Sequence, residues 1–274
     1  ALAGTLYSSS GDGPIRIPPG ASDITLRGYD AVIKIGNNGV TTSVVRVFGS
    51  NCRVEGLTIN VNANAILGIV DGDSATRALK ACAGFEINSN GVSTDGNDNE
   101  IEDCKCIGGY TTSNLTIAHQ GTENFLIVNG VRNRIVGCYS EDATFSAFRS
   151  TPENAIIDCT AYNHRGNGYR ATGDGDWLEI RGFVQYSTRC HGRAGILVDP
   201  GSGVSTNRIR LFTVSNCNCY ANPDATGTGS AGSALKIAAC RHAVIRDSRF
   251  VGGPAATAGS SNNYAVRIED SARQ

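Results

Sequence analysis

The stretch NAIIDCTAYN (154–163) decides how this chain is read, because it is written several times over. NEIEDCKCIG (99–108) and NRIVGCYSED (133–142) precede it, and LEIRGFVQYS (178–187) and HAVIRDSRFV (242–251) follow. The shared kernel is Ile or Val, any residue, Asp or Gly, then a small or apolar residue. It occurs as VEGL (54–57), IEDC (101–104), IVGC (135–138), IIDC (156–159), IRGF (180–183) and IRDS (245–248), with IRLF (209–212) as a looser copy. The shortest step, from Ile135 to Ile156, is one repeat without insertions, and the 47-residue step from Val54 to Ile101 counts as two. Asparagine stands two residues before the kernel at Asn99, Asn133, Asn154 and Asn207. That position predicts a tight turn where Asn accepts left-handed backbone and hydrogen-bonds its stacked copy.

A second phrase alternates with the first: AGFEI (83–87), NFLIV (124–128), SAFRS (146–150), NGYRA (167–171), AGILV (194–198), SALKI (233–237) and YAVRI (264–268). Both phrases have the period of two that marks a strand, and no sustained helical face appears. Short strands repeated every 21 residues or more predict an all-β, parallel β-helix solenoid, in which each strand pairs with its copy one coil away, at about 4.8 Å. One such domain is expected over 1–274, with opening coils in 1–40 and regular coils in 41–274. The last phrase stops where the next kernel should begin, so the sequence is read as part of a longer polypeptide, cut at an open coil.

The bulk composition narrows the partners. A formal charge of -1 argues against a polybasic surface for nucleic acid or anionic membrane, and no apolar run is long enough for a spanning helix. No signal peptide is visible at the N-terminus. The ten cysteines include two C-x-C pairs, Cys104/Cys106 and Cys217/Cys219, rather than zinc-type C-x-x-C pairs. They are expected to be reduced and buried, with Cys104, Cys138 and Cys159 stacked in one column. No metal site is expected, and His119, His191 and His242 are scattered.

The residues that could carry chemistry follow from the same register. The residue just after the central apolar one in the second phrase reads Glu86, Leu126, Arg149, Arg170, Leu197, Lys236, Arg267 and should face outward. Its second half is basic, which suits an acidic glycan. Glu153 and Asp174 fall at equal offsets after Phe148 and Tyr169, so they are expected in one turn on neighbouring coils, with Asp176 close by and Asp199 one coil on. Paired carboxylates can act as acid and base or nucleophile on a glycosidic bond. A second cluster joins Glu141 and Asp142 to Tyr162, His164 and Arg165. Base plus cation would suit proton abstraction beside a uronic carboxylate. Tyr139, Tyr162, Trp177 and Tyr186 are candidates for stacking on sugar rings.

The Asn turn with its Ile-x-Asp-Cys and Gly-Phe-x-Ile strands resembles the right-handed parallel β-helix of pectate-lyase-like proteins. The opening GDGPIRIPPGASDITLRGYDAVIKI (11–35) is similar to the first coils of bacteriophage tailspikes and related polysaccharide-degrading enzymes. The resemblance implies a tailspike-type depolymerase that binds and cleaves a bacterial surface polysaccharide, without a cofactor. It also implies a homotrimeric parent, made in the host cytoplasm and carried on the virion tail. The catalytic set would be Glu153, Asp174, Asp176 and Asp199, with Arg149, Arg170, Trp177, Lys236, Tyr162 and His164 holding substrate. A non-catalytic shaft or adhesin, and a free polysaccharide lyase or epimerase, are the alternatives. The calcium-binding aspartates and catalytic arginine of pectate lyases have no counterpart in this sequence. The Tyr-Gly-x-Asp-Pro-His type motif of alginate epimerases is also missing; Val198-Asp199-Pro200-Gly201 lacks the His.

Overall fold

A computed structural model describes residues 5–8, 15–35, 43–60, 84–89, 91–108, 123–143, 146–164, 166–186, 194–199, 209–221, 232–238, 240–252 and 264–268. Every regular element among them is a strand. The strands form three parallel sheets, each visited once per coil. Sheet 1 begins at Thr5–Ser8, sheet 2 at Ile15–Ile17 and sheet 3 at Thr25–Arg27. Sheets 1 and 2 carry nine strands and sheet 3 carries eight, so the chain is a right-handed parallel β-helix rather than a sandwich.

The kernel explains itself in sheet 3. Its first residue points inward, and Val54, Ile101, Ile135, Ile156 and Ile180 pair in sequence. Its third residue turns the chain toward sheet 1 with left-handed backbone: Gly56, Asp103, Gly137, Asp158, Gly182, Asn216 and Asp247 all have φ between 50° and 72°. Only glycine, Asp and Asn take that conformation at low cost, hence the Asp-or-Gly rule. Its fourth residue enters the core, where Cys138 lies between Cys104 and Cys159. All eight described cysteines are free thiols, seven of them buried. Burial pushes the Cys217 thiol up to about 11 and Cys106 higher still. These thiols pack as small hydrophobes, and the C-x-C spacing sends one to the turn and the next into sheet 1.

The register differs from the sequence reading in three places. Val54 pairs directly with Ile101, so the 47-residue step is one coil with a long insertion, not two. The copy after Ile180 is Val214 of TVSNC, whereas Ile209 of IRLF pairs with Gly175. The asparagines do hydrogen-bond their stacked copies, but the left-handed residue is the one before each: Asp98, Arg132 and Glu153. Asn99 and Asn133 each donate the main-chain N–H to the side-chain oxygen of the next asparagine, at 2.8 and 2.9 Å. Their side-chain amides donate in turn to the Gly49 and Gly96 carbonyls. The side chain thereby pairs backbone groups that the bend takes out of the sheet ladder. Asn207 lies outside the described residues.

Sheet 2 supplies the aromatic spine. Phe85, Phe125 and Phe148 stack at 5.0 and 4.8 Å between centroids, within 12° of parallel. Tyr169 continues the column, fully buried, its hydroxyl 2.6 Å from Ser150 Oγ. A buried phenol requires such a partner. On the first coils of sheet 3 the outward column Arg53, Glu100, Arg134 alternates in sign instead. Arg53 pairs with Glu55, Glu100 and Glu102, and Arg134 with Glu100, so Arg53 offsets the adjacent Glu55 and Glu102.

Candidate functional site

The outward column of sheet 2 stands as the sequence register predicted it. Arg16, Arg46, Glu86, Leu126, Arg149, Arg170, Leu197, Lys236 and Arg267 pair in succession. Strand alternation forces this, because the phenylalanine spine occupies the inward positions on either side. The long side chains lie partly covered, with Arg149 34% and Arg170 21% exposed.

The adjacent arginines are held apart by acids from flanking positions. Arg149 donates to Glu123 Oε1 at 2.9 Å and to Thr172 Oγ1 at 3.4 Å. Arg170 lies 3.8 Å from Asp199. Asp199 follows the strand that pairs with Arg170's own, and its side chain is 36% exposed, so it is open to a ligand. Glu123 was not anticipated. It opens the strand Glu123–Val128 and sits almost wholly buried beneath Arg149. Burial raises its carboxyl pKa, and the charges of Arg149 and Arg170 offset part of that rise. Its other oxygen, Oε2, has no hydrogen-bond partner among the described residues, nor has Ser146 Oγ, the position paired with it one coil on. The only hint in the sequence is a charged residue at the head of an otherwise apolar strand. Upstream, Glu86 is enclosed by Arg46, Asn88 and Ser43.

The other expected acids do not join this group as proposed. Glu153 is level with Trp177, not Asp174: its N–H donates to the Trp177 carbonyl. The turn from Ala171 to Glu179 is three residues longer than the one from Ser150 to Ala155, and the extra length moves Asp174 out of line. Asp174 is exposed. Glu153 instead accepts the Asp176 N–H at 3.3 Å, and Asp176 pairs with Arg210 at 3.0 Å. Glu153 and Asp176 therefore form a corner pair between sheets 2 and 3. Trp177 points outward at that corner, half-buried, on a strand lengthened to Gly175–Arg181, and is not a core residue. Lys236 keeps its outward place on sheet 2.

The second cluster comes apart. Glu141 and Tyr162 pair on the outer face of sheet 1, and the Tyr139 hydroxyl donates to Glu141 at 3.0 Å. Asp142 accepts from the Asn163 amide in the following turn. His164 is fully buried, which removes it from any substrate surface. Its Nδ1 meets the Gly166 carbonyl at 2.9 Å and its Nε2 meets the Gln185 amide at 3.1 Å. Donation at one nitrogen and acceptance at the other fix the neutral tautomer, and burial pulls the pKa down to about 4. Arg165, Pro200, Gly201, His119 and His191 lie outside the described residues.

At the corner of sheets 2 and 3 a cleft of about 490 Å³ is lined by Asp23, Arg53, Asp98, Glu100, Arg132 and Arg134. Its charges satisfy one another, as in the two-pronged Arg132–Asp98 pair with both contacts at 2.7 Å. No group of three or more His, Cys, Asp or Glu among the described residues is arranged to hold a metal ion.

The architecture and an outward basic column edged by a carboxylate define a parallel β-helix with an exposed polar face along its axis. Among solved structures, the chain is similar to two modules from Azotobacter vinelandii. With the mannuronan C-5 epimerase AlgE6 A-module it shares 14% identity at a TM-score of 0.59, over 90% of this chain and 67% of that one. With the AlgE4 A-module the values are 13% and 0.51, over 89% and 68%. At such low identity this structural likeness shows the fold alone. No family model and no curated protein matches the chain.

Proposed function

We propose that this β-helix binds and chemically modifies an acidic polysaccharide laid along sheet 2. The observation that carries the reading is the column Arg149, Arg170, Lys236 and Arg267 with Asp199 at its edge. With coils about 4.8 Å apart, Arg149 and Arg170 stand on adjacent coils and Lys236 and Arg267 on the next adjacent pair beyond Leu197, which suits a polymer carrying repeated negative charges along its length. Asp199 is the exposed carboxylate nearest these cations and acts as the acid–base group. Glu123 is a positioning residue that fixes Arg149 from below. The similar solved structures are mannuronan C-5 epimerase modules, and mannuronan is an acidic polysaccharide, which supports the same substrate class here.

The finer reading is a tailspike-type depolymerase that cleaves a bacterial capsule or O-antigen chain, trimeric in its parent protein and carried on a phage tail. The likeness of residues 11–35 to tailspike opening coils supports it, as does the reduced, thiol-rich core. Incubation with uronate polymers and with isolated capsule tests both levels. New reducing ends report hydrolysis, an unsaturated uronate absorbance reports elimination, and deuterium uptake at C-5 without chain shortening reports epimerisation. Absence of all three with every polymer overturns the enzymatic reading and leaves a binding shaft.

A further inference from the structure

Sheet 1 carries a surface unlike either of the others. Its outward positions on successive coils are Glu141, Tyr162, Tyr186 and Tyr220, with Val184 beside them on the strand Val184–Tyr186. Tyr162 and Tyr186 are 41% and 44% exposed. Their rings lie within 22° of parallel, with centroids 6.2 Å apart. Tyr220 meets Tyr186 edge-on at 5.6 Å, and the Arg249 guanidinium sits 6.0 Å over the Tyr220 ring. A single exposed tyrosine is ordinary on a protein surface. Three on consecutive coils, each braced by the next, make a rigid apolar strip with polar tips. The outward column of sheet 2 and the first coils of sheet 3 carry mostly charged residues, so no general need of the fold places these rings here.

From this we infer that the tyrosine strip of sheet 1 is a second glycan-binding surface, separate from the basic column of sheet 2, which holds a polysaccharide by stacking on its sugar rings. The inference rests on the reading that the partner is a polysaccharide. A polymer of rings running along the axis meets one aromatic group per coil, as a peptide or a small ligand would not. The neutral character of Tyr162, Val184 and Tyr186 selects the apolar faces of sugars rather than their charges. Sheet 2 would then act on the chain while sheet 1 holds the polymer close.

Affinity electrophoresis in native gels containing polymannuronate, polygalacturonate or dextran tests this, with the ring-removing pair Tyr162→Ala/Tyr186→Ala and the ring-keeping pair Tyr162→Phe/Tyr186→Phe. The expected result is retardation of the wild type in at least one gel, an apparent affinity about tenfold weaker in the alanine pair, and near-full retention in the phenylalanine pair. Arg170→Ala should still be retarded by this surface. Wild type that is retained but inactive on every polymer would sink the catalytic reading and leave this one standing. Equal retention of wild type and the alanine pair, or no retention of wild type in any gel, overturns it. So does an alanine pair that turns an oligomer into a monomer, because the strip is then an interface between copies of the chain.

Discussion

Asn133 donates its main-chain N–H to Oδ1 of Asn154 on the next coil, at 2.9 Å, and Asn154 in turn donates to the Gly130 carbonyl at 2.8 Å. One buried side chain thus ties three points of two coils. In Asn133→Ala the Asn99 N–H and the Gly96 carbonyl lose their partners while remaining buried. Each such loss costs roughly 1–3 kcal/mol. The expected outcome is a destabilisation of about 2–6 kcal/mol in chemical denaturation, with Asn133→Asp keeping the acceptor for the Asn99 N–H but losing the donor to Gly96 and burying a carboxylate. A midpoint unchanged from wild type would show that water replaces the ladder.

Gly182 tests the left-handed turn. Its φ is 64°, and a Cβ there would collide with Asp158 Oδ1 of the preceding coil. Gly182→Ala should cost about 1–3 kcal/mol, from strained backbone and the displaced aspartate together. Gly182→Asn accepts the backbone more readily, so any loss it shows in thermal unfolding would come from the contact with Asp158.

Acid should act through His164. Its pKa is about 4 in the fold, against an ordinary value near 6.5, so the unfolded chain binds more protons between those two values. The contribution to stability is therefore complete above pH 6.5 and is lost as pH falls toward 4. It amounts to roughly 3 kcal/mol at most. His164→Gln should flatten that part of the stability–pH curve, measured by urea titration across pH 4–7.

The thiol stack should resist reagents. Cys104, Cys138 and Cys159 are shielded and their pairing to carbonyls is internal, as with Cys159 Sγ and the Ile135 carbonyl at 3.4 Å. Mass-spectrometric mapping after alkylation of the native protein should leave all three unmodified and label Cys240, which is partly exposed, first among the described thiols. Rapid labelling of Cys138 in the folded state would contradict the column.

At the sheet 2 site, Asp199→Asn should lower turnover about 10²–10⁴-fold, the usual worth of a general acid or base, while retention on the polymer persists. Glu153→Gln and Asp174→Asn should have little effect, since neither carboxylate meets Arg149 or Arg170. Full activity in Asp199→Asn with loss in Glu153→Gln would shift the site to the corner with Asp176.

The coil was readable because its rules are local: inward Ile, left-handed Asp or Gly, buried Cys, and alternating strands. The column from Glu86 to Arg267 followed from alternation alone. What escaped is what depends on turn length and on tertiary burial. Counting offsets from Phe148 and Tyr169 aligned Asp174 with Glu153, but the three added residues before Glu179 break the count. His164 follows a strand and looks like a surface residue, yet its turn folds inward onto Gln185. Glu123 was invisible because its meaning lies in Arg149, which is in the next coil.

The Arg134–Ala155 pairing also says something about how such a chain can change in length. The segment from Arg134 to Asn154 makes one turn of the hoop, with the latch of Asn133 just before it and that of Asn154 at its end. Spliced in twice, it would meet its own copy in every column and lengthen the rod by about 4.8 Å. Tandem duplication is thus a route by which the molecule can acquire reach without inventing a new contact.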